Sequence, residues 1–273
     1  MDTPGRGFAS IPPVLKNLLI INVLMFLAMV VLQRTMDIDL NRILGLHYFK
    51  SEYFRPYQFV THMFMHGGVT HIFLNMFMLW MFGRVLEQVW GGKRFLIYYL
   101  FTGLGAAALH TLVTHIEMSS LLKEVAALTN TPSPEVFAGF LKGNIPKSSP
   151  QLYDFIKAWA ADPSNPSYAS EAIDFANKLV KSKIDIPTVG ASGAVYGVLL
   201  AFGMIFPNMP LVLIFFPFFP IKAKYMVIAM GVLELVYGIS MPGSNVAHFA
   251  HLGGMIFGFI LIRFWKSTTR NYF

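Results

Sequence analysis

Apolar residues along this chain gather into long runs separated by shorter polar stretches. A bilayer core of about 30 Å calls for roughly 20 mainly apolar residues per helix. Six stretches meet that demand, some with a polar residue inside: Val14–Leu32, Val69–Leu86, Phe95–Val113, Val189–Phe206, Ala223–Ile239 and Val246–Trp265. The first reads as a retained transmembrane helix, because no small-residue cleavage site follows FLAMVVLQRTMD. The loop from Gln33 to about His66 is mixed in polarity, with Tyr48, Phe49, Tyr53, Phe54 and Tyr57 suited to a membrane interface.

The stretch from Glu117 to Pro187 follows other rules, being near charge balance and full of helix signals. SPEVFAGFLKG and SPQLYDFIKAW each set Ser at an N-cap and Pro at the first helical position. SEAIDFANKLVKSK ends on lysines, which suit a helix C-terminus. The pattern predicts an all-α membrane protein with a helical extramembrane insert between helices 3 and 4. Its expected layout is a tail over 1–13, helices 1–3 over 14–115 with an outer loop at 33–66, the insert at 116–187, helices 4–6 over 188–265 and a tail at 266–273.

Composition agrees with a chain dissolved largely in lipid. Of its 273 residues 55% are apolar and 13% charged, against about 25% charged in an ordinary soluble domain. The absence of cysteine excludes a disulfide scaffold and a cysteine–zinc site. The formal charge of +7 falls between apolar runs rather than along one face, which speaks for membrane topology and against nucleic acid. Arg6 and Lys16, then Arg84, Lys93 and Arg94, then Lys222 and Lys224, then Arg263, Lys266 and Arg270 all fall on one side if six helices alternate. That side is the cytoplasm, with both termini in it. The first outer loop runs against the trend, carrying Arg34, Arg42, Lys50 and Arg55 beside Asp37, Asp39 and Glu52. A compact chain with no transit-like N-terminal segment points to a bacterial inner membrane.

Polar side chains at membrane depth are costly and mark function by default. Those singled out are His71, Asn75, Ser192, Tyr196, Glu234, His248 and His251. Ser192 lies in TVGASGAVYG among Gly190, Gly193 and Gly197, a spacing that admits a close helix neighbour. Alone, it reads as a packing motif with an incidental serine. His251 is followed three and seven residues later by Gly254 and Gly258, on its own helix face. Both residues fall near the outer end of their spans. A contact through the two glycine faces brings a nucleophile beside a base. Tyr196, one turn after Ser192, is placed to pack on His251 and hold it. His71 and Asn75 share a face near the outer end of the second span, where they can donate to an oxyanion, with the Ser192 N–H as a further donor. Glu234, counted as mid-way down its span, reads as a structural partner away from the base. The expectation is a Ser–His dyad without a carboxylate.

At these residues the sequence resembles a rhomboid intramembrane serine protease. THMFMHGGVTHIFLNMFMLW, GRVLEQVWGGKRF, GASGAVYG, FPIKAK and AHLGGMIFG occur in that family's order on the expected helices. The resemblance implies a six-helix bundle whose water-accessible cavity opens to the outer face. It implies Ser192 as nucleophile, His251 as general base, Tyr196 stacked on it, and His71 with Asn75 at the oxyanion hole. His62 and His66 match family positions with structural duties around the first loop. His248 is outside the pattern, either lining the cavity or satisfying a loop backbone. Substrates by resemblance are membrane-anchored proteins cut in or near a transmembrane helix, with a small residue before the cut, and no cofactor or metal is called for. The insert departs from the compact family pattern; being tethered just before Ser192, it is expected to modulate access.

Two other classes compete. A metal transporter draws on the His62/His66 and His248/His251 pairs, but, like a zinc intramembrane protease, it lacks an H-E-x-x-H motif. A catalytically inactive relative acting in binding or trafficking is the closer rival, and the presence of both Ser192 and His251 argues against it.

Overall fold

Proline opens the first helix. The computed structural model describes residues 11–145, 150–213, 216–240 and 246–268; the expected N-cap Ser149 and the outer parts of both expected tails lie outside the described residues. Helix α1 (Pro13–Met36) has Pro at its first position, where a missing N–H costs nothing. The next two N–H groups, of Val14 and Leu15, donate to the buried Glu87 carboxylate at 3.0 and 2.7 Å. A negative charge there also meets the positive end of the helix dipole. The helix ends at Asp37, in the left-handed region with φ 53°. Asp39 then caps α2 (Leu40–Leu44) by accepting from the Asn41 and Arg42 N–H groups.

Short helix α3 (Gln58–Thr61) and a 3₁₀ turn (His62–Phe64) lead into α4 (Val69–Trp90). After Gly91, at φ 77°, comes α5 (Gly92–Asn130). Three helices follow: α6 (Pro134–Asn144), α7 (Pro150–Ala161) and α8 (Pro166–Ile184). Then come α9 (Ser192–Ile205), the strands β1 (Pro210–Leu213) and β2 (Phe216–Lys222), α10 (Ala223–Ser240) and α11 (His248–Thr268). The antiparallel ribbon, with Leu211 opposite Ile221, is an addition to the expected all-helical plan, and it takes up the first part of the FPIKAK motif.

Among the described residues five helices, α1, α4, α5, α10 and α11, are long and apolar enough to cross a membrane. Together with the family findings below, they make this an all-α integral membrane protein. The fourth expected span differs: α9 has 14 residues and starts at Ser192, not Val189. Its backbone is diverted beforehand by a bridge between Leu46 and Thr188 and by Gly190 at φ 130°.

The described residues within 1–47, 53–111 and 187–273 form one compact unit. Within it α9 packs on α4, α10 and α11, and its Ala194, Val195, Val198, Leu199 and Phe202 are fully buried. The outward faces are apolar as well: Ile20, Leu24 and Leu27 on α1 and Ile228, Val232 and Ile239 on α10 are exposed. A helix apolar all round suits lipid.

The described residues within 48–52 and 112–186 form a second compact unit. Helix α5 runs unbroken past Glu117, since VTHIEM contains no Gly or Pro to stop it. Ser133 caps α6 as expected, accepting from the Val136 N–H at 3.2 Å. Helix α8 starts earlier than its lysine-rich end suggested, because Asn165 caps it and Pro166 takes its first position. The core is aromatic, with the Phe137 ring against Phe140, Phe155, Trp159 and Phe175.

Candidate active site

The segment before α9 is pinned on several sides. Leu46 and Thr188 exchange both backbone hydrogen bonds, at 2.9 and 2.8 Å. The Thr188 Oγ1 lies 2.6 Å from His110 Nε2. The Gly190 N–H donates to the His62 carbonyl at 2.9 Å. The left-handed backbone at Gly190 suits only glycine. Expected among the helix-packing glycines, Gly190 instead turns the chain into α9. Ser192 is therefore the first residue of that helix. The first bond inside it runs from the Val195 N–H to the Ala191 carbonyl, so the Ser192 N–H has no acceptor within the helix.

Glycine also sets the approach of α11 to α9. A Cβ on Gly254 would overlap the Gly193 carbonyl, while one on Gly193 would press on Ala106 of α5 and stand 3.4 Å from the Ala250 carbonyl oxygen. The other two glycines turn elsewhere. A Cβ on Gly197 would meet Thr102 of α5 at 2.7 Å, and Gly258 faces Tyr98, whose hydroxyl donates to the Gly197 carbonyl at 2.8 Å. The close approach of α11 is thus Gly254 onto the Gly193 carbonyl, while Gly193, Gly197 and Gly258 seat α9 and α11 on α5.

That approach sets Ser192 Oγ 2.8 Å from His251 Nε2. The Tyr196 ring stacks on His251 with centroids 4.2 Å apart and planes 5° from parallel. Glu234 is where the sequence reading is corrected. Its Oε2 lies 3.0 Å from His251 Nδ1, off the line of a good hydrogen bond. The same oxygen accepts from His248 Nδ1–H at 2.6 Å, and Oε1 accepts from the Tyr196 hydroxyl. A carboxylate therefore does reach the imidazole, and His248 bonds to a side chain, not to a loop backbone. The reason is antiparallel geometry: Glu234 precedes the end of α10 by six residues and His251 follows the start of α11 by three, so both stand near the connection. A polar residue in the last turns of one span and the first turn of the next was the signal available.

His71 Nδ1 accepts from the Gly67 N–H at 3.2 Å. An accepting Nδ1 leaves the hydrogen on Nε2. That Nε2 lies 2.9 Å from where a Cβ on Gly190 would stand, and Ser192 Oγ is 3.5 Å from the same point. Donor and hydroxyl thus border one small space kept open by glycine. Asn75 is buried one turn further along α4, its amide nitrogen donating to the His71 carbonyl at 3.0 Å. The His66 ring meets His71 edge to face at 5.1 Å, and neither of its buried nitrogens has a hydrogen-bond partner. His62 Nδ1–H donates to the Gln58 carbonyl at 2.9 Å. Burial holds His62 and His66 each down at about 4, so both rings stay neutral. The sequence reading passed over His110, although an ionisable side chain inside a predicted span was the cue.

Glu234, His248 and His251 offer three ligand atoms within 4.8 Å of one another. Two histidines and a glutamate are a set that zinc accepts. However, the separations of 2.6 and 3.0 Å are those of hydrogen-bonded and ionic partners. Atoms bound tetrahedrally at about 2.1 Å stand roughly 3.4 Å apart, so the cluster is closed up on itself.

A family model described as the Rhomboid domain matches residues 53–127 and 166–266. Rhomboid-like protein 11, chloroplastic, of Arabidopsis thaliana is 42% identical over 57 residues, which make up 21% of this chain and 20% of that protein.

Proposed function

The chain belongs to the rhomboid family, and on that footing we propose that it is an intramembrane serine endopeptidase. The observation carrying this reading is the 2.8 Å approach of Ser192 Oγ to His251 Nε2 between helices of a membrane bundle. Ser192 Oγ–H donates to Nε2, and as Oγ attacks the scissile carbonyl its proton passes to His251. The oxygen of the tetrahedral intermediate accepts from the Ser192 N–H, from His71 Nε2–H and from the second amide hydrogen of Asn75, whose first is spent on the His71 carbonyl. Each such donor is worth about 10²–10³ in rate. Collapse expels the amine, which takes the proton from His251. Water activated by the same imidazole then hydrolyses the acyl-enzyme. No metal or cofactor takes part in these steps.

The substrates are membrane-anchored proteins, cut in or near a transmembrane helix. Gly or Pro near the bond favours cleavage, because a peptide bond within an intact helix is hydrogen-bonded and shielded. The proposed setting is a bacterial inner membrane, with both termini cytoplasmic and the site open to the outer face.

The test is a fluorescent fluorophosphonate applied to the purified chain in mild detergent, beside Ser192→Ala and His251→Ala. Labelling of the parent that is lost in both variants is the expected result. A parent that takes no label would assign the chain to catalytically inactive rhomboid-like proteins acting in binding or trafficking.

A further inference from the structure

We infer that Glu234 is a positioning residue for His251, making the dyad the front of a Ser192–His251–Glu234 relay of contacts. This rests on the reading of Ser192 and His251 as nucleophile and base.

A base needs its unused nitrogen fixed. The imidazole accepts the serine proton only when Nε2 carries a lone pair, which requires the hydrogen on Nδ1 and an acceptor to keep it there. His251 Nδ1 is buried, and a buried donor calls for a partner. The Glu234 Oε2 stands 3.0 Å away. Its present angle is poor, and contacts of this kind tighten once substrate closes the site.

Glu234 is itself held on several sides. The Tyr196 hydroxyl donates to Oε1 and His248 Nδ1–H donates to Oε2, so the carboxylate cannot swing away from the base. A carboxylate has about four acceptor sites, which leaves one on Oε2 for His251. Tyr196 meanwhile lies flat on the His251 ring. One side chain thus governs the imidazole twice, its edge directly and its face through the tyrosine it anchors. A lone carboxylate in a membrane helix is costly; here it is 8% exposed and surrounded by donors. When the serine proton reaches Nε2, the imidazolium forms beside a negative charge already in place. His248 is the competing partner, and its shorter bond keeps Oε2 near the pair.

The experiment uses the full chain, in detergent and reconstituted in vesicles, reading three things for the parent, Glu234→Gln and Glu234→Asp. They are the fluorophosphonate labelling rate, kcat and KM on a transmembrane reporter in vesicles, and the imidazole N–H resonances of ¹⁵N-histidine protein. Gln keeps an acceptor for Tyr196 and removes the charge. Expected is a fall of about 10²–10⁴ in labelling rate and kcat with KM unchanged, and partial recovery in Asp. Beside the downfield N–H of the 2.6 Å His248–Glu234 pair, a second downfield N–H is expected in the parent, absent from Glu234→Gln and His251→Gln and retained in His248→Gln. A Glu234→Gln variant that labels at the parent rate overturns the inference and leaves the protease reading standing. So does a parent spectrum in which every downfield imidazole N–H survives in His251→Gln. That assignment decides the matter even where Glu234→Gln fails to fold. A parent that takes no label overturns the protease reading itself, and the inference with it.

Discussion

The two compact units sort polarity in opposite senses. In residues 112–186 the aromatic rings turn inward around Phe137, and lysines and carboxylates such as the Lys178–Asp174 pair stay in solvent. In the helices of the other unit, Ile20, Leu24, Ile228 and Ile239 face out while Glu234, His251 and Asn75 are enclosed. Water drives the first arrangement, since apolar area leaves it at a gain. Lipid removes that drive, and a polar group inside persists only when partners surround it. Residues 112–186 thus keep their apolar rings in the middle, and the other unit keeps its polar side chains there.

The sharpest way to break this contrast is to empty each centre. Replacing Ser192 or His251 by Ala should lower turnover on the order of 10⁶-fold while the fold survives, read by cleavage of a transmembrane reporter beside circular dichroism. Phe137→Ala should do the reverse, costing the insert about 3–5 kcal/mol. Hydrogen exchange over residues 112–186 would register it as lost protection, and unchanged protection would mean the ring cluster is not the insert's core.

Smaller changes sharpen the comparison. Gly254→Ala presses a methyl on the Gly193 carbonyl and should move α11 off α9. Displacement of about 1 Å costs on the order of 10² in rate, measurable as slower labelling of a protein that is still helical. The mildest expected effect is on acid tolerance. His62 and His66 sit at about 4 in the folded chain, against about 6.5 when unfolded. Below about 6.5 the unfolded state binds protons the folded state refuses, so stability present above that pH is lost as it falls through about 4. His66→Phe, which removes two unpartnered nitrogens, should flatten the acid side of a melting-temperature profile against pH. A profile as steep as the parent's would count against burial as the cause.

How much of this was legible depended on whether a neighbour could be counted along one helix. Gly254 three residues after His251, and Tyr196 four after Ser192, are same-helix relations, and the facing of Ser192, His251 and Tyr196 was readable from them. The ring cluster of the insert was signalled only as helices, because amphipathic patterns name a face and not its partner. Glu234 lies six residues, about 9 Å, from the end of α10 and His251 three residues, about 4.5 Å, from the start of α11; depth counted from these near ends, not from the far end of one span, puts them within side-chain reach. The segment before Ser192 was missed for a different reason. Its course is set by contacts from Leu46, His62 and His110, far away in sequence, and long-range pairing leaves no local pattern.

The brevity of α9 has a consequence for how far water reaches. Its 14 residues span about 21 Å at 1.5 Å each, roughly 9 Å short of an average hydrocarbon core. Because α9 is enclosed by α4, α10 and α11, the missing height is made up by the hydrogen-bonded segment ahead of Ser192 and by water above it, not by lipid on its flanks. On the proposed reading of Ser192, a helix this short sets the hydroxyl below the level of its neighbours' outer ends while leaving room above it for the water that hydrolysis would consume.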